Sequence, residues 1–576
     1  MGLVFDIETD DLKASKIWCL VCQDSDSGEI YKFAPHQLES GLDLLQSADT
    51  LIGHNILGFD IPVIKKLYGV DLSDKKTWDT LVMSRLFNPV RAGGHGLEIW
   101  GHRLGFTKGT FKDFETYSKE MLDYCVRDVQ LNTLVYKQLQ KEAKGFSEGS
   151  VLLEHEVSKI TKQQEDNGFL FASYAAEMLL AELREKMQST EDEVHKSFKP
   201  KLVDDKEVTP YIKKDGTLSK RGLTDEEFKK VESSKNYNPF MRRKLKEFNL
   251  GSRVQIGEWL QDFGWKPDVF TETGRPRVDD RVLRKVKGIP EAELIAEFLT
   301  LQKVTAMIDS WLGFVEDDDR VHGYVLPIGA ITTRMSMRNP NVQQVPSVRS
   351  PYGKECRSCW IVPKGYKLCG VDASALEARL LAHYMEDEDF TNEIINGDIH
   401  ARNQEAAGLQ SRDQAKTLLY ACIYGSGNAK LGRLVGGSEE DGKRIKELFY
   451  ANNRKFKSLR DRVAKATAKG YLKGLDGRRL YITKRHAALN SLLQGGGSIV
   501  MKRGLVILND KALEKGLDFK FVANIHDEWQ VEVREDHAET FGALAVQSII
   551  DAGEYYNMKC PLDGEYKIGD NWSETH

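Results

Sequence analysis

The chain has 576 residues, 41% of them apolar, and a formal net charge of −5. Length suggests about three or four domains; the apolar share is too high for a mostly disordered chain, and no run approaches the ~18 apolar residues of a membrane helix. A small negative charge neither announces nor excludes nucleic acid, because binding needs only a local basic track and catalytic acids lower the total.

The start, Met1-Gly2-Leu3-Val4-Phe5-Asp6, has no basic region ahead of its apolar stretch, and Asp6 stands where a myristoylation signal needs Ser or Thr. A soluble protein of the cytoplasm (a host's, if the chain is viral) is the expectation, with no membrane partner. Eight cysteines include Cys19/Cys22 and Cys356/Cys359. Cys19 and Cys22 lie in an apolar run that reads as a strand, where residues three apart face opposite ways, so no four-thiolate zinc site is expected.

Residues 1 to about 145 alternate short apolar strands with helical segments, an α/β pattern. Strands are expected at Phe5, Trp18 to Val21 and Thr50 to Ile52, helices at Phe59 to Tyr68 and Lys119 to Leu139. Asp6 and Glu8 end the first strand two residues apart, so both side chains share one face. Asp60 follows another strand, and Tyr124 and Asp128 stand four apart on one helix face. Four converging carboxylates repel one another unless cations sit among them, and hard oxygen ligands suit Mg²⁺ or Mn²⁺. Such a set can activate water at a phosphodiester, with Tyr124 orienting the water.

From about 150 the pattern is helical: Val151 to Asn167, then Ala172 to Ser197. Residues 199–250 are rich in Lys, Asp and Glu and hold Pro200, Pro210, Gly216, Gly222 and Pro239, which predicts an inserted, mobile excursion. Arg242, Arg243, Lys244 and Lys246 either track duplex phosphates or form a solvated face. Helices resume at Arg253 to Phe263 and Glu291 to Phe314. Strands at Gly323 to Leu326, Lys367 to Val371, Phe519 to Ile525 and Trp529 to Val533 then bracket a helical block, 375–515. Gly495-Gly496-Gly497 interrupts that block, at about 1 kcal/mol per Gly relative to Ala. Either close approach to DNA backbone or helix packing accounts for it.

The strand Lys367 to Val371 delivers Asp372, and Asp527 sits in a turn between two apolar strands. Two such aspartates can grip two divalent ions for phosphoryl transfer from a nucleotide. Between them, Arg412, Lys416 and Tyr420 fall at i, i+4 and i+8, on one helix face within an arc of about 80°. Cations there can clamp a triphosphate, and an aromatic ring can lie against sugar or base.

These segments resemble two known groups. The N-terminal set resembles the DEDD-type 3′–5′ exonucleases, proofreading domains of ribonuclease-H-like fold; Asp6, Glu8, Asp60 and Asp128 match the metal ligands and Tyr124 the helper tyrosine. The C-terminal set resembles motifs A, B and C of the family A (DNA polymerase I) enzymes. Within that family the phage replicative polymerases of the T-seven type are nearest, through Ser350-Pro351-Tyr352-Gly353, Asn396-Gly397-Asp398-Ile399-His400, Gly474-Leu475-Asp476-Gly477-Arg478 and His486-Ala487-Ala488-Leu489-Asn490.

The resemblance implies that Asp372 and Asp527 bind metal, and that Arg412, Lys416, Tyr420 and Tyr424 form the nucleotide-binding fingers helix. It further implies that Glu377 excludes a ribose 2′-hydroxyl, that His400 contacts phosphate, and that Arg334, Gln344 (within Pro340 to Pro346), Gln494 and His526 contact primer-template. The implied fold is α/β and α+β multidomain: an exonuclease domain (1–145), then a right hand with thumb (146–325), palm (326–376 and 491–576) and fingers (377–490). Two Mg²⁺ ions are implied in each site, Mn²⁺ being an alternative.

The implied activity is template-directed DNA synthesis with 3′–5′ proofreading, for replication of a phage-type genome. Implied partners are primer-template DNA and deoxynucleoside triphosphates. In T-seven-type relatives a thumb insertion recruits host thioredoxin as processivity factor; the excursion at 199–250 occupies a similar place and is shorter. A thioredoxin-type factor and a replisome helicase-primase therefore stand as candidate partners. Two other readings compete. Glu377 and the attached nuclease argue against a single-subunit RNA polymerase, and the intact pair Asp372 and Asp527 argues against a nuclease with a C-terminal nucleic-acid-binding module.

Overall fold

Leu3, Val4 and Phe5 are consecutive, apolar and wholly buried. Such a run suits a strand covered on both faces, and β1 (Gly2–Thr9) is the middle of a five-stranded sheet. It pairs antiparallel with β2 (Ile17–Asp24), which pairs with β3 (Ile30–Phe33). On its other side it runs parallel to β4 (Thr50–Gly53), itself parallel to β5 (Lys76–Asp79). Leu3, Phe5 and Ile7 pack on one face with Cys22. Val4 packs on the other with Cys19, Ile52 and the apolar side of a long helix, through Met121, Cys125 and Val129. Cys19 and Cys22 thus face opposite ways, and all eight cysteines are free and buried.

The computed structural model describes residues 1–576, apart from the side chain of Ala406. Two compact units are present, one of Met1–Ala172 with Phe314–His576, the other of Ser173–Gly313. Helix α1 (Asp60–Tyr68) starts on Asp60 and stops at Gly69, whose φ of 69° turns the chain away. Helix α2 (Lys119–Glu142) is capped by the Ser118 side chain, which accepts from the Met121 amide. Helix α3 (Glu148–Asn167) follows it in the first unit.

The second unit is built on α4 (Ser173–Ser197) packed against α5 (Pro290–Leu312). Its core gathers Phe198, Phe248, Trp259, Ile295 and Leu299. Residues 199–250, expected as a mobile excursion, form regular structure. Strands β6 (Lys201–Val208) and β7 (Phe240–Lys246) make an antiparallel ribbon, and Asp225–Ser234 is a helix with a Thr224/Glu227 capping box. The basic residues of β7 already have acid partners: Arg242 with Glu227, Arg243 with Asp204, Lys244 with Asp205 and Lys246 with Glu258. That pattern is a solvated, mutually neutralised face.

Back in the first unit, four antiparallel strands form a second sheet in the order β9 (Phe519–Ile525), β10 (Glu528–Arg534), β8 (Tyr366–Ala373), β11 (Gly564–Gly569). Helix α6 (Leu376–Met385) leaves the end of β8; α7 (Ile399–Ala407) and α8 (Arg412–Ile423) follow. The block expected to be helical is broken by a short hairpin, Tyr471–Lys473 with Arg479–Tyr481. Helix α9 (Ala488–Glu514) runs unbroken through the glycine triplet. A Cβ on Gly495, Gly496 or Gly497 would meet Leu480 at 2.7 Å, Leu380 at 3.0 Å or Leu376 at 3.2 Å. The glycines therefore let α9 pack closely against the hairpin strand at Leu480 and against α6. No helix is long and apolar enough to cross a membrane among the described residues.

A buried charge cluster ties α3 to α9. The Lys502 ammonium donates to both Glu154 carboxylate oxygens, at 2.8 and 2.7 Å, and to the Thr333 carbonyl at 2.8 Å. Arg478 also donates to Glu154, and to Asp476. Glu154 has no exposed surface and Lys502 almost none. Removing the shared acid strands the buried Lys502 ammonium and takes one of the two acid partners of Arg478, so Glu154→Ala is expected to cost about 3–5 kcal/mol in denaturant unfolding. A loss below about 1 kcal/mol would show the cluster to be incidental.

Candidate active site

Two acid clefts lie in the first unit. In the first, β8 carries Asp372 to its end, directly opposite Glu528 of β10. The next amide, of Ala373, donates to the Asp527 carbonyl at 3.1 Å. Two strained residues aim these acids. Ala375 has φ 51° at the strand-to-helix corner, and His526 has φ 58° in the turn between β9 and β10. Left-handed backbone at non-glycine residues is unfavourable and collects at functional sites. Burial pushes the Asp372 carboxyl up to about 7, and repulsion from Asp527 and Glu528 adds to it.

Glu377, on the first turn of α6, is clamped. It accepts from the Tyr424 hydroxyl at 3.2 Å and pairs with Arg334 at 3.6 Å. Burial raises its carboxyl against the pull of Arg334. The Thr333 carbonyl, gripped by Ser498 and Lys502 of α9, fixes the loop that carries Arg334. Burial and Arg334 together hold His526 below the usual imidazole range.

Helix α8 buries Ala415, Leu418, Leu419 and Cys422, which leaves Arg412 and Lys416 exposed and Tyr420 half-buried. Tyr420 and Tyr424 stack with centroids 6.3 Å apart at 25°. Burial raises the Tyr420 hydroxyl, and the charges of Glu377 and Asp527 raise it further, so this ring lies near those two acids. Arg412 donates to Asp398 at 2.6 Å, and Asp398 caps α7 by accepting from the His400 and Ala401 amides. Burial, then Arg412, holds His400 below its usual value.

The structure thus joins Asp372, Asp527, Glu377, Arg334, His526, Tyr420 and Tyr424, with Arg412, His400 and Lys416 further along the same helix pair. Gln344 and Gln494 make no hydrogen bond to either group among the described residues. The anchoring contact belongs to Gln343, whose amide donates to the Asn524 carbonyl at 3.0 Å.

In the second cleft, Asp6 and Glu8 lie on the β1 face covered by α2. The Ile7 amide between them donates to Asp60 at 3.2 Å. Burial raises Asp6 well above the carboxylate range, and Asp60, Glu8 and Asp128 add to it. Glu8 is pushed up to about 8 by burial and by Asp128, and Asp60 to about 7 by burial. Asp128 pairs with Lys108 through Oδ2 at 2.8 Å, while its buried Oδ1 has no partner. The Lys108 ammonium also lies 5.2 Å from the centre of the Tyr124 ring.

Residues 224–574 match the profile of DNA polymerase family A. The DNA-directed DNA polymerase of Enterobacteria phage T3 is 32% identical, over the full length of both chains. The chain belongs to DNA polymerase family A. The DNA-directed DNA polymerase of Escherichia phage T7 is 31% identical, again over both full lengths. The solved POL domain of Pol1 from M. smegmatis, in complex with DNA primer-template and dNTP, shares the fold. Its TM-score is 0.79 at 19% identity, covering 100% of this chain and 95% of that one.

Family A polymerases depend on metal ions, and both clefts of this polymerase fit hard divalent cations. In each, burial and neighbouring acids oppose the ionisation of a carboxyl, of Asp6 in one and of Asp372 in the other, and Asp128 keeps an unpartnered oxygen for a ligand. Below about pH 7 to 8 Glu8 and Asp372 keep their protons, and cation binding must expel them. Mg²⁺ binding is therefore expected to release protons at about pH 6.5 and to strengthen as pH rises to about 8. Calorimetry in buffers of different ionisation enthalpy measures both; affinity independent of pH over that range would contradict the assignment.

Lys108 lay beyond the motifs, whereas Glu528 and Cys125 stand inside them, in Asn524 to Glu528 and Tyr124 to Asp128, with no role expected of their own. Lys108 sits in Phe106-Thr107-Lys108-Gly109, a segment with no recognisable pattern. Glu528 is buried and accepts from Trp572 at 2.8 Å and pairs with His576 at 2.8 Å. Burial opposes its ionisation, but His576 and Arg357 hold it below the usual range. Cys125 was legible in principle, since it stands beside Tyr124 on the helix turn that carries Asp128.

Proposed function

We propose that this polymerase extends a primer 3′ end on a DNA template at the Asp372 cleft and trims mispaired 3′ ends at the Asp6 cleft. The observation that carries the first part is the approach of Asp527 to Asp372 through the Ala373 amide. Asp372 and Asp527 would hold two Mg²⁺ ions, Mn²⁺ being an alternative. When bound, such ions lower the pKa of the primer hydroxyl and take up charge on the departing pyrophosphate.

The protein side chains do the rest. Arg412 and Lys416 clamp the triphosphate, with His400 beside them as a neutral donor to phosphate. Tyr420 lies against the sugar and Tyr424 closes the pocket behind it. Arg334, His526, Gln344 and Gln494 line the primer-template track. In the nuclease cleft Asp6, Glu8, Asp60 and Asp128 would hold a second pair of ions, and Tyr124 orients the attacking water. Under this reading residues 1–145 form the exonuclease domain, 146–325 the thumb, 326–376 with 491–576 the palm, and 377–490 the fingers.

Glu377 acts as a wall against a 2′-hydroxyl, since Tyr424 and Arg334 hold it in one position. Glu377→Ala is expected to raise ribonucleotide incorporation relative to deoxynucleotide by roughly 10- to 100-fold in kcat/KM. An unchanged ratio would remove Glu377 from sugar selection.

The deciding experiment is primer extension in Mg²⁺ on matched and mismatched primers, with deoxy- or ribonucleotides, with and without thioredoxin. Synthesis from deoxynucleotides with trimming of the mismatch is expected. Efficient ribonucleotide use would favour an RNA polymerase, and degradation alone a nuclease. Longer products with thioredoxin would identify it as a processivity factor. The phage DNA-directed DNA polymerases that it resembles support a role in replicating a phage-type genome; host cytoplasm as the place and a helicase-primase as partner belong to this proposal.

A further inference from the structure

We infer that α3 is a strut shared by the two clefts: its neighbouring residues Glu154 and His155 are positioning residues, one for each, and touch substrate in neither. The inference rests on the two-activity reading above for what each cleft does; the contacts are independent of it, and all lie within the first unit. Both side chains are buried, Glu154 completely and His155 to 1% exposure. Successive residues of a helix point about 100° apart, so one helix can brace two different neighbours.

Glu154 acts toward the polymerase cleft. It holds the Lys502 ammonium, whose remaining hydrogen bond goes to the Thr333 carbonyl. Thr333 is fully buried with φ 61°, a left-handed conformation that a β-branched residue adopts only where its surroundings impose it. Arg334 follows, and pairs with Glu377. The Arg334 carbonyl accepts from the Gly329 and Ala330 amides at 3.0 and 3.2 Å, so the loop closes on itself. Lys502 and Ser498 tie that closed loop to α9, and Glu154 fixes Lys502 from α3.

His155 acts toward the nuclease cleft. Its Nδ1–H donates to the Val151 carbonyl at 2.7 Å, which leaves Nε2 to accept from the Asp79 amide, also at 2.7 Å. Burial holds the ring below the usual imidazole range, in keeping with that neutral form. Asp79 ends β5, is 1% exposed, and spreads its carboxylate over the loop after β4. Oδ1 accepts from the Asn55 amide at 3.0 Å and Oδ2 from the Leu57 amide at 3.1 Å, with Asn55 at φ 68°. That loop delivers Asp60, which accepts from the Ile7 amide between Asp6 and Glu8. Misplacing a reacting group by ~1 Å costs on the order of 10²-fold in rate, so such a strut governs rate without contact with substrate.

The test uses the full chain and two substitutions of similar size, Glu154→Gln and His155→Leu. Each variant is assayed in Mg²⁺ for extension of a matched primer and for trimming of a mismatched one, and without metal for amide hydrogen exchange by mass spectrometry. Glu154→Gln is expected to lower extension about tenfold or more and to leave trimming within about twofold; His155→Leu should do the reverse. Exchange should quicken over residues 329–336 in the first variant and over 54–59 in the second. A purely structural role would lower both activities together as Tm falls. That result, or either variant with its own cleft at wild-type rate or wild-type exchange, overturns the inference. If a variant does not fold, Lys502→Met stands in for Glu154→Gln and Asp79→Asn for His155→Leu, with the same expectations. A wild-type chain that fails to extend or to trim defeats the two-activity reading, and the exchange data then decide this inference alone.

Discussion

Replacing Asp372 or Asp527 by Ala is expected to reduce primer extension by roughly 10³-fold or more while 3′ trimming continues. Asp372 reaches the cleft from the end of β8 and Asp527 from the turn between β9 and β10, so neither can stand in for the other. The loss should fall on kcat rather than on DNA affinity, since Arg334, Gln344, Gln494 and His526, assigned to the primer-template track, remain. Stability should move the other way. Burial and the neighbouring acids oppose ionisation of Asp372, so deleting its carboxyl relieves repulsion in metal-free protein and should leave Tm unchanged or raised. Single-turnover extension and thermal unfolding of the same preparations decide this. Extension at wild-type rate, or a lowered Tm with the loss, would mean that Asp372 is a structural acid.

The complementary result is expected from Asp6→Ala combined with Glu8→Ala: 3′ trimming falls by roughly 10³-fold and synthesis persists. Both side chains leave one face of β1, and burial, with the charges of Asp60 and Asp128, raises both carboxyls above the usual range. Removing them leaves the sheet core intact, because Leu3, Phe5 and Ile7 pack on the opposite face. The Lys108–Asp128 pair survives and neutralises much of the remaining charge. Degradation of a labelled mismatched primer in the absence of nucleotides provides the measurement. Trimming at wild-type rate would dismiss this cleft as the nuclease.

Both double expectations grew from short-range patterns. The period of two along β1 placed Asp6 beside Glu8, and the i, i+4 spacing placed Tyr124 with Asp128 and Arg412 with Lys416. Such relations hold within one element whatever surrounds it. Residues 199–250 show the limit of composition as a guide. Charge, Pro and Gly argued for looseness, but the segment forms an ordered ribbon and a capped helix, and its cations found acids across the strands (Asp204, Asp205) and on neighbouring helices (Glu227, Glu258). The glycine triplet was ambiguous for a similar reason: its neighbours Leu480, Leu380 and Leu376 come from other elements.

What the amino-acid order decided alone was most elements outside residues 199–250 and the hairpin at 471–481, the face on which each acid leaves its strand or helix, and the family of the chain. Those follow from backbone geometry and from residues close in sequence. What waited for tertiary structure was the company each group keeps: Lys108 against Asp128, the sulfur of Cys125 beside Asp6, His576 on Glu528, and Arg334 with Tyr424 around Glu377. Burial and charge act through space, and the partners are separated by tens or hundreds of residues, so no local pattern could encode them.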